Sequence, residues 1–108
     1  MTKFVTALAA AAGLTLASSA LAADPKVAEA LAKNSGCLAC HTVDKKLVGP
    51  AYKDIAAKYR NNKGAEAALI KKVKAGGKGV WGEVPMPPNM HVKDDDIKTL
   101  VQWILSIK

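Results

Sequence analysis

Cys37-Leu38-Ala39-Cys40-His41 places two thiols and an imidazole within five residues. Thiols three positions apart lie about one helical turn from each other, so both can add to the two vinyl groups along one porphyrin edge. The adjoining histidine is then brought under the ring, where a neutral imidazole nitrogen can coordinate iron. The five residues are the attachment pattern of a c-type haem. Two other chemistries use the same residue types. A redox-active dithiol sits on a βαβ frame, and no strand pattern is visible in this chain. A zinc site built from Cys37, Cys40, His41 and His91 has suitable donors, but zinc fingers space their histidines three to five apart and these lie 50 apart. A disulfide between Cys37 and Cys40 would close too small a loop to remove much unfolded-state entropy, so the use of the pair is chemical rather than architectural.

A second group of donors lies in EVPMPPNMH, residues 83–91, where Met86, Met90 and His91 fall within six residues. Any of the three could complete the coordination of an iron atom, and only Met86 is flanked by prolines.

The elements that must position these groups are short helices. Asp24-Pro25 is a cap followed by a first-turn proline, Val27, Ala28, Leu31 and Ala32 form an apolar stripe, and Gly36 stands where a helix would stop, which predicts a helix over about 25–35. After Gly49-Pro50, the residues Tyr52, Ile55, Ala56 and Tyr59 recur at helical spacing. Leu69, Ile70 and Val73 make a third stripe that Gly76-Gly77 ends. Residues 77–92 carry three glycines and three prolines without a period, a long irregular loop of the kind that usually binds something. Asp94, Asp95 and Asp96 then put negative charge at a helix start and read as capping residues. Ile97, Leu100, Val101, Ile104 and Leu105 give the strongest amphipathic stripe of the chain. The protein is expected to be all-α.

The 108-residue chain begins with Lys3, an apolar run VTALAAAAGLTLA and the small-residue site Ala20-Leu21-Ala22, the layout of a cleaved export signal over residues 1–22. One domain, residues 23–108, would remain, at a size where apolar burial barely offsets chain entropy. Each 100 Å² of porphyrin covered is worth roughly 2.5 kcal/mol, so a covalent haem can supply the missing core. Removing the signal takes away Lys3 alone, so 16 basic and 9 acidic residues become 15 and 9, a formal +6 that suits acidic partner proteins. Lys33, Lys45, Lys46 and Lys53 are close enough in sequence to the haem motif to ring it. The basic residues carry no nucleic-acid motif, and no segment after the signal is apolar enough to span a bilayer.

GCLACH, VGPAYKDIAAKY, GVWGEVPMPPN and a closing WILSIK stand in that order, and together they resemble the small monohaem class I cytochromes c of bacteria, of the cytochrome c-551/c-552 (c8) kind. The resemblance covers essentially all of residues 23–108. It implies a class I cytochrome c fold, about four short helices wrapped around one covalent haem c. It implies electron transfer rather than an enzymatic reaction, with Cys37 and Cys40 holding the haem and His41 and Met86 as axial ligands. The carbonyl of Pro50 would accept a hydrogen bond from the proximal histidine, and the Trp81 indole N–H would reach a haem propionate. Lys72 stands where some relatives carry an arginine on that propionate, and offers a point charge without the bidentate fork. Trp103 reads as core.

Backbone restriction also favours Met86. Val84 and Met86 each precede a proline, and Pro85, Pro87 and Pro88 have φ fixed, so the loop is largely set before a ligand bond forms. Ordering an unrestricted residue costs roughly 1–2 kcal/mol, a saving that matters for a weak thioether–iron bond. Met90 lacks such neighbours and reads as a filler of the core. His91 would give a bis-histidine iron of lower potential, or serve as the polar distal group of a haem enzyme or gas sensor, a reading no other feature supports. The whole describes a monomeric periplasmic carrier serving acidic reductases, oxidases or membrane cytochrome complexes.

Overall fold

The computed structural model describes residues 24–108, so the signal expected over residues 1–22 and its cleavage lie outside the described residues. Four helices follow in order: α1 Pro25–Asn34, α2 Tyr52–Lys58, α3 Ala65–Ala75 and α4 Asp94–Ser106, with a 3₁₀ turn at Cys37–Ala39 after α1. Among the described residues there is no strand, only two isolated bridges, His41 with Lys46 and Gly77 with Met86.

Local chemistry sets the ends of α1. The Asp24 carboxylate accepts from the Lys26 N–H at 2.9 Å, Pro25 occupies the first turn, and Gly36 leaves the helix with φ 84°, a left-handed conformation that glycine adopts without strain. At α4 the structure departs from expectation: Lys93 is the N-cap and no side chain caps the helix. Asp94, Asp95 and Asp96 fall inside the first turn, where they act through their charge on the exposed amides. Asp94 is additionally held by Lys74 Nζ at 3.0 Å.

α4 is the spine, packing against α1, α2 and α3. Its Leu100, Trp103 and Ile104 form one apolar cluster with Ala28 and Ala32 of α1, both fully buried, and Tyr52 and Ile55 of α2. The other side of the spine, Ile97 and Val101, packs with Val92 and with Leu69, Ile70 and Val73 of α3. The stripes at i, i+3, i+4 thus face one another as their spacing requires. Trp103 is 5 % exposed and belongs to the core.

Candidate functional site

The Cys37–His41 segment is one tight coil. Cys40 N–H and His41 N–H both reach the Cys37 carbonyl, at 3.2 and 3.0 Å, which folds the two thiols and the imidazole into a single turn. The chain then doubles back: Gly49 N–H donates to Cys40 O at 2.7 Å, and Tyr52 N–H to Thr42 O at 2.9 Å. His41 is boxed in between. Its Nδ1 lies 2.7 Å from the Pro50 carbonyl, and its ring stacks on Tyr52 at 5.1 Å. A Cβ on Gly49 would come within 2.5 Å of His41 Cε1, so only glycine fits there. A carbonyl only accepts, so the imidazole proton is on Nδ1 and the lone pair on Nε2 is left for a metal.

The second wall is the irregular loop. Gly77 N–H donates to Met86 O at 3.0 Å and Met86 N–H to Gly77 O at 2.8 Å, seating Met86 by its own main chain. Gly76 turns with φ 74°, and a side chain there would meet Met86 O at 2.5 Å. Asn89 ties down the far end. Its N–H reaches Val73 O and Lys74 O, and its Nδ2 donates to Val73 O at 3.0 Å and Pro87 O at 3.2 Å. The orphan carbonyls at the end of α3 are thereby satisfied by the same residue that shapes the proline turn.

Between these walls lies a largely apolar cleft of about 690 Å³, floored by Leu69, Val73, Leu100 and Ile104. Cys37, Cys40, His41, Pro50, Lys72, Trp81 and Met86 all line it. Met90 and His91 do not. Met90 is 68 % exposed rather than a core filler, because it lies in the turn that Val92 N–H closes on Asn89 O at 3.2 Å. His91 is exposed, with Nε2 3.2 Å from Ser35 O. Among the described residues no three His, Cys, Asp or Glu side chains converge on a metal site, which leaves the zinc reading without a centre. Of the four lysines expected around the motif, Lys46 lines the cleft and is joined there by Lys72 and Lys78; Lys33, Lys45 and Lys53 are exposed elsewhere.

Cys37 and Cys40 are free thiols. Burial pushes the Cys37 thiol up, with a hydrogen bond from Tyr52 opposing in part, the reverse of the lowered thiol that dithiol exchange needs. Burial, and then the neighbouring Cys37 sulfur, push the Tyr52 phenol well above its usual range. Two unpaired thiols, a metal-ready Nε2, a thioether and an apolar cleft within the size range of cofactor sites fit a haem. Gly49 reads in the sequence only as the end of a loop, and Asn89 carries no role there. Their signal was adjacency to residues already singled out.

Four helices over one apolar cleft, with a thiol-thiol-imidazole turn on its wall, define a small c-type haem protein. Residues 26–108 match the family model for cytochrome c. The chain is 55 % identical over 98 residues to cytochrome c-551 of Pseudomonas aeruginosa, covering 91 % of this chain and 90 % of that protein. It is 52 % identical over 97 residues to cytochrome c-552 of Nitrosomonas europaea, covering 89 % and 94 %. The crystal structure of wild-type Nitrosomonas europaea cytochrome c552 superposes with a TM-score of 0.72 at 54 % identity, over 74 % of this chain and 99 % of that one. The chain belongs to the cytochrome c family, among the small bacterial cytochromes c-551 and c-552. It binds one covalent haem c and is a haem-based electron carrier, not an enzyme. Among the described residues no helix is long and apolar enough to cross a membrane.

Proposed function

We propose that the chain is a monomeric periplasmic carrier passing single electrons between respiratory redox partners, with a haem held by Cys37 and Cys40 and ligated by His41 Nε2 and Met86 Sδ. The observation that carries this reading is the 2.7 Å bond between His41 Nδ1 and Pro50 O, which fixes the tautomer that exposes Nε2. When bound, the haem supplies an iron that cycles between ferric and ferrous states. The residues supply everything else. The Gly49 seat and the Tyr52 stack keep the imidazole from rotating, and the paired main-chain bonds at Met86 fix the backbone from which the thioether would reach the iron. With His41 Nε2 and Met86 Sδ both bound to it, the iron would have no open position for peroxide or oxygen. Trp81 and Lys72 are proposed to hold a haem propionate, and the export signal at residues 1–22 delivers the chain to the periplasm. Lys46, Lys72 and Lys78 at the cleft suit acidic partners, whether reductases, oxidases or membrane cytochrome complexes.

Substitution with spectroscopy tests the ligand set. Met86→Ala should abolish the near-infrared sulfur–iron band and open the iron to cyanide or carbon monoxide, while Met90→Leu and His91→Gln leave both unchanged. Loss of the band in His91→Gln alone would overturn the assignment.

A further inference from the structure

Trp81 stands at the tip of a turn that glycine makes possible. Gly79 N–H donates to Gly82 O at 2.9 Å, and the two glycines take φ of 105° and 115°, values that other residues rarely adopt. Across the base of the turn Lys78 Nζ lies 4.0 Å from Glu83 Oε2, both exposed. The indole at this tip is 42 % exposed although it lines the cleft, and glycines two before and one after it leave the backbone free to swing it outward. A contact from another element opposes that swing. Lys58, the last residue of α2, places Nζ 5.5 Å from the centre of the indole and 6.0 Å from the ring of Tyr59, which also lines the cleft. An ammonium within about 6 Å of an aromatic ring is attracted by the negative face of its π system, and tryptophan is the strongest such partner.

We propose that Lys58 is a positioning residue, a cationic latch that holds Trp81 over the mouth of the cleft and tunes the cofactor within. The proposal rests on the reading that the cleft holds the haem. The latch works in two ways. It lowers the population of conformers in which the indole leaves the mouth and admits water, and it adds a fixed positive charge there. Reduction adds one negative charge inside the cleft, so a cation at the mouth favours the reduced state. Lys58 is exposed, so added salt screens the charge but leaves the ring contact.

The test compares holoprotein carrying Lys58→Met, which keeps length and removes charge, with Lys58→Arg, which keeps both charge and ring contact. Hydrogen exchange of the Trp81 indole N–H, followed by NMR, reads the latch, and the buried Trp103 N–H is the internal reference. Lys58→Met should speed Trp81 exchange about two- to five-fold, the population shift that an exposed contact of this kind commands, with Trp103 unaffected. Its reduction potential should fall, and the difference from the parent protein should shrink as salt rises. Lys58→Arg should restore both. Unchanged Trp81 exchange in Lys58→Met, or failure of Lys58→Arg to restore it, overturns the latch. The sulfur–iron band is recorded on every sample. Its absence from the unsubstituted protein would sink the ligand reading, while the exchange comparison would still decide the latch.

Discussion

Gly49→Ala puts a single methyl group against the imidazole that the site depends on. The new carbon would stand 2.5 Å from His41 Cε1 and 2.9 Å from Nδ1, where carbon atoms in contact prefer about 3.5–4.0 Å. His41 has little room to retreat, because Tyr52 stacks against it at 5.1 Å and Tyr52 is itself braced by Trp103 at 5.5 Å. Overpacking of this kind costs about 1–3 kcal/mol. A ring displaced enough to escape also loses its 2.7 Å bond to Pro50 O, worth about 0.5–1.5 kcal/mol more. Together the loss is at least about 1.5 kcal/mol, which at about 4–8 °C per kcal/mol for a domain of this size lowers the melting temperature by at least about 6 °C. The reduction potential should rise as well, since the Nδ1–H bond raises the basicity of the imidazole and so favours the ferric ion. Gly64→Ala is the control. There the nearest atom is Asn62 Oδ1 at 3.6 Å, so its effect should stay within about 0.5 kcal/mol. Thermal melts of the holoproteins by circular dichroism, with potentiometric titration, make the comparison. A Gly49→Ala protein melting within about 2 °C of the parent and poised at the same potential would refute the seat.

Protein carrying Cys37→Ala and Cys40→Ala, expressed without haem, should lose most of its far-UV helical signal, because the cleft floor at Leu69, Leu100 and Ile104 would face water; full helicity with a cooperative melt would refute this. Electron-transfer rates with an acidic partner should fall as salt passes roughly 0.1 M, where the Debye length is about 10 Å, and rates flat across ionic strength would refute steering. Burial raises the Tyr52 phenol in the folded state, so above pH ~10 the unfolded chain holds fewer protons than the folded one and stability falls as pH climbs. Tyr52→Phe should therefore lose less stability than the parent between pH 8 and pH 11, as read by urea titration; equal losses would show that the phenol does not couple to folding.

How far the sequence could be read follows from which forces are local. The four helices were legible because each carries an apolar stripe at helical period, with a glycine or proline near a boundary of the first three and three aspartates at the start of α4, and these signals act within a few residues. Cys37, Cys40, His41 and Met86 could be singled out because haem chemistry demands particular residue types at particular spacing, and the fold brings all four to one cleft. Gly49 could not, since its role is the absence of a side chain beside His41, eight positions earlier. Asn89 was hidden likewise, because its partners sit 16 residues back at the end of α3. Aspartates at 94–96 invite a capping reading by type, but Lys93 takes the cap position and the three carboxylates fall in the first turn. Met90 reads as core material because methionine commonly is, but its place in the turn over residues 89–92 leaves it exposed.

Both hydrogen bonds that seat residue 86 are made by its main chain, so the architecture is indifferent to the side chain presented there. Any residue that keeps its backbone N–H and tolerates the following proline can occupy the seat without losing these two bonds. With Met86 as the proposed ligand, electron affinity is therefore a trait that mutation can move alone. Under the proposed ligation, a single codon change at 86 alters what the iron meets, while the anchor at Gly77 and the clamp at Asn89 persist unaltered. A lineage with this frame can drift between donors and acceptors of different appetite for electrons and inherit the same fold throughout.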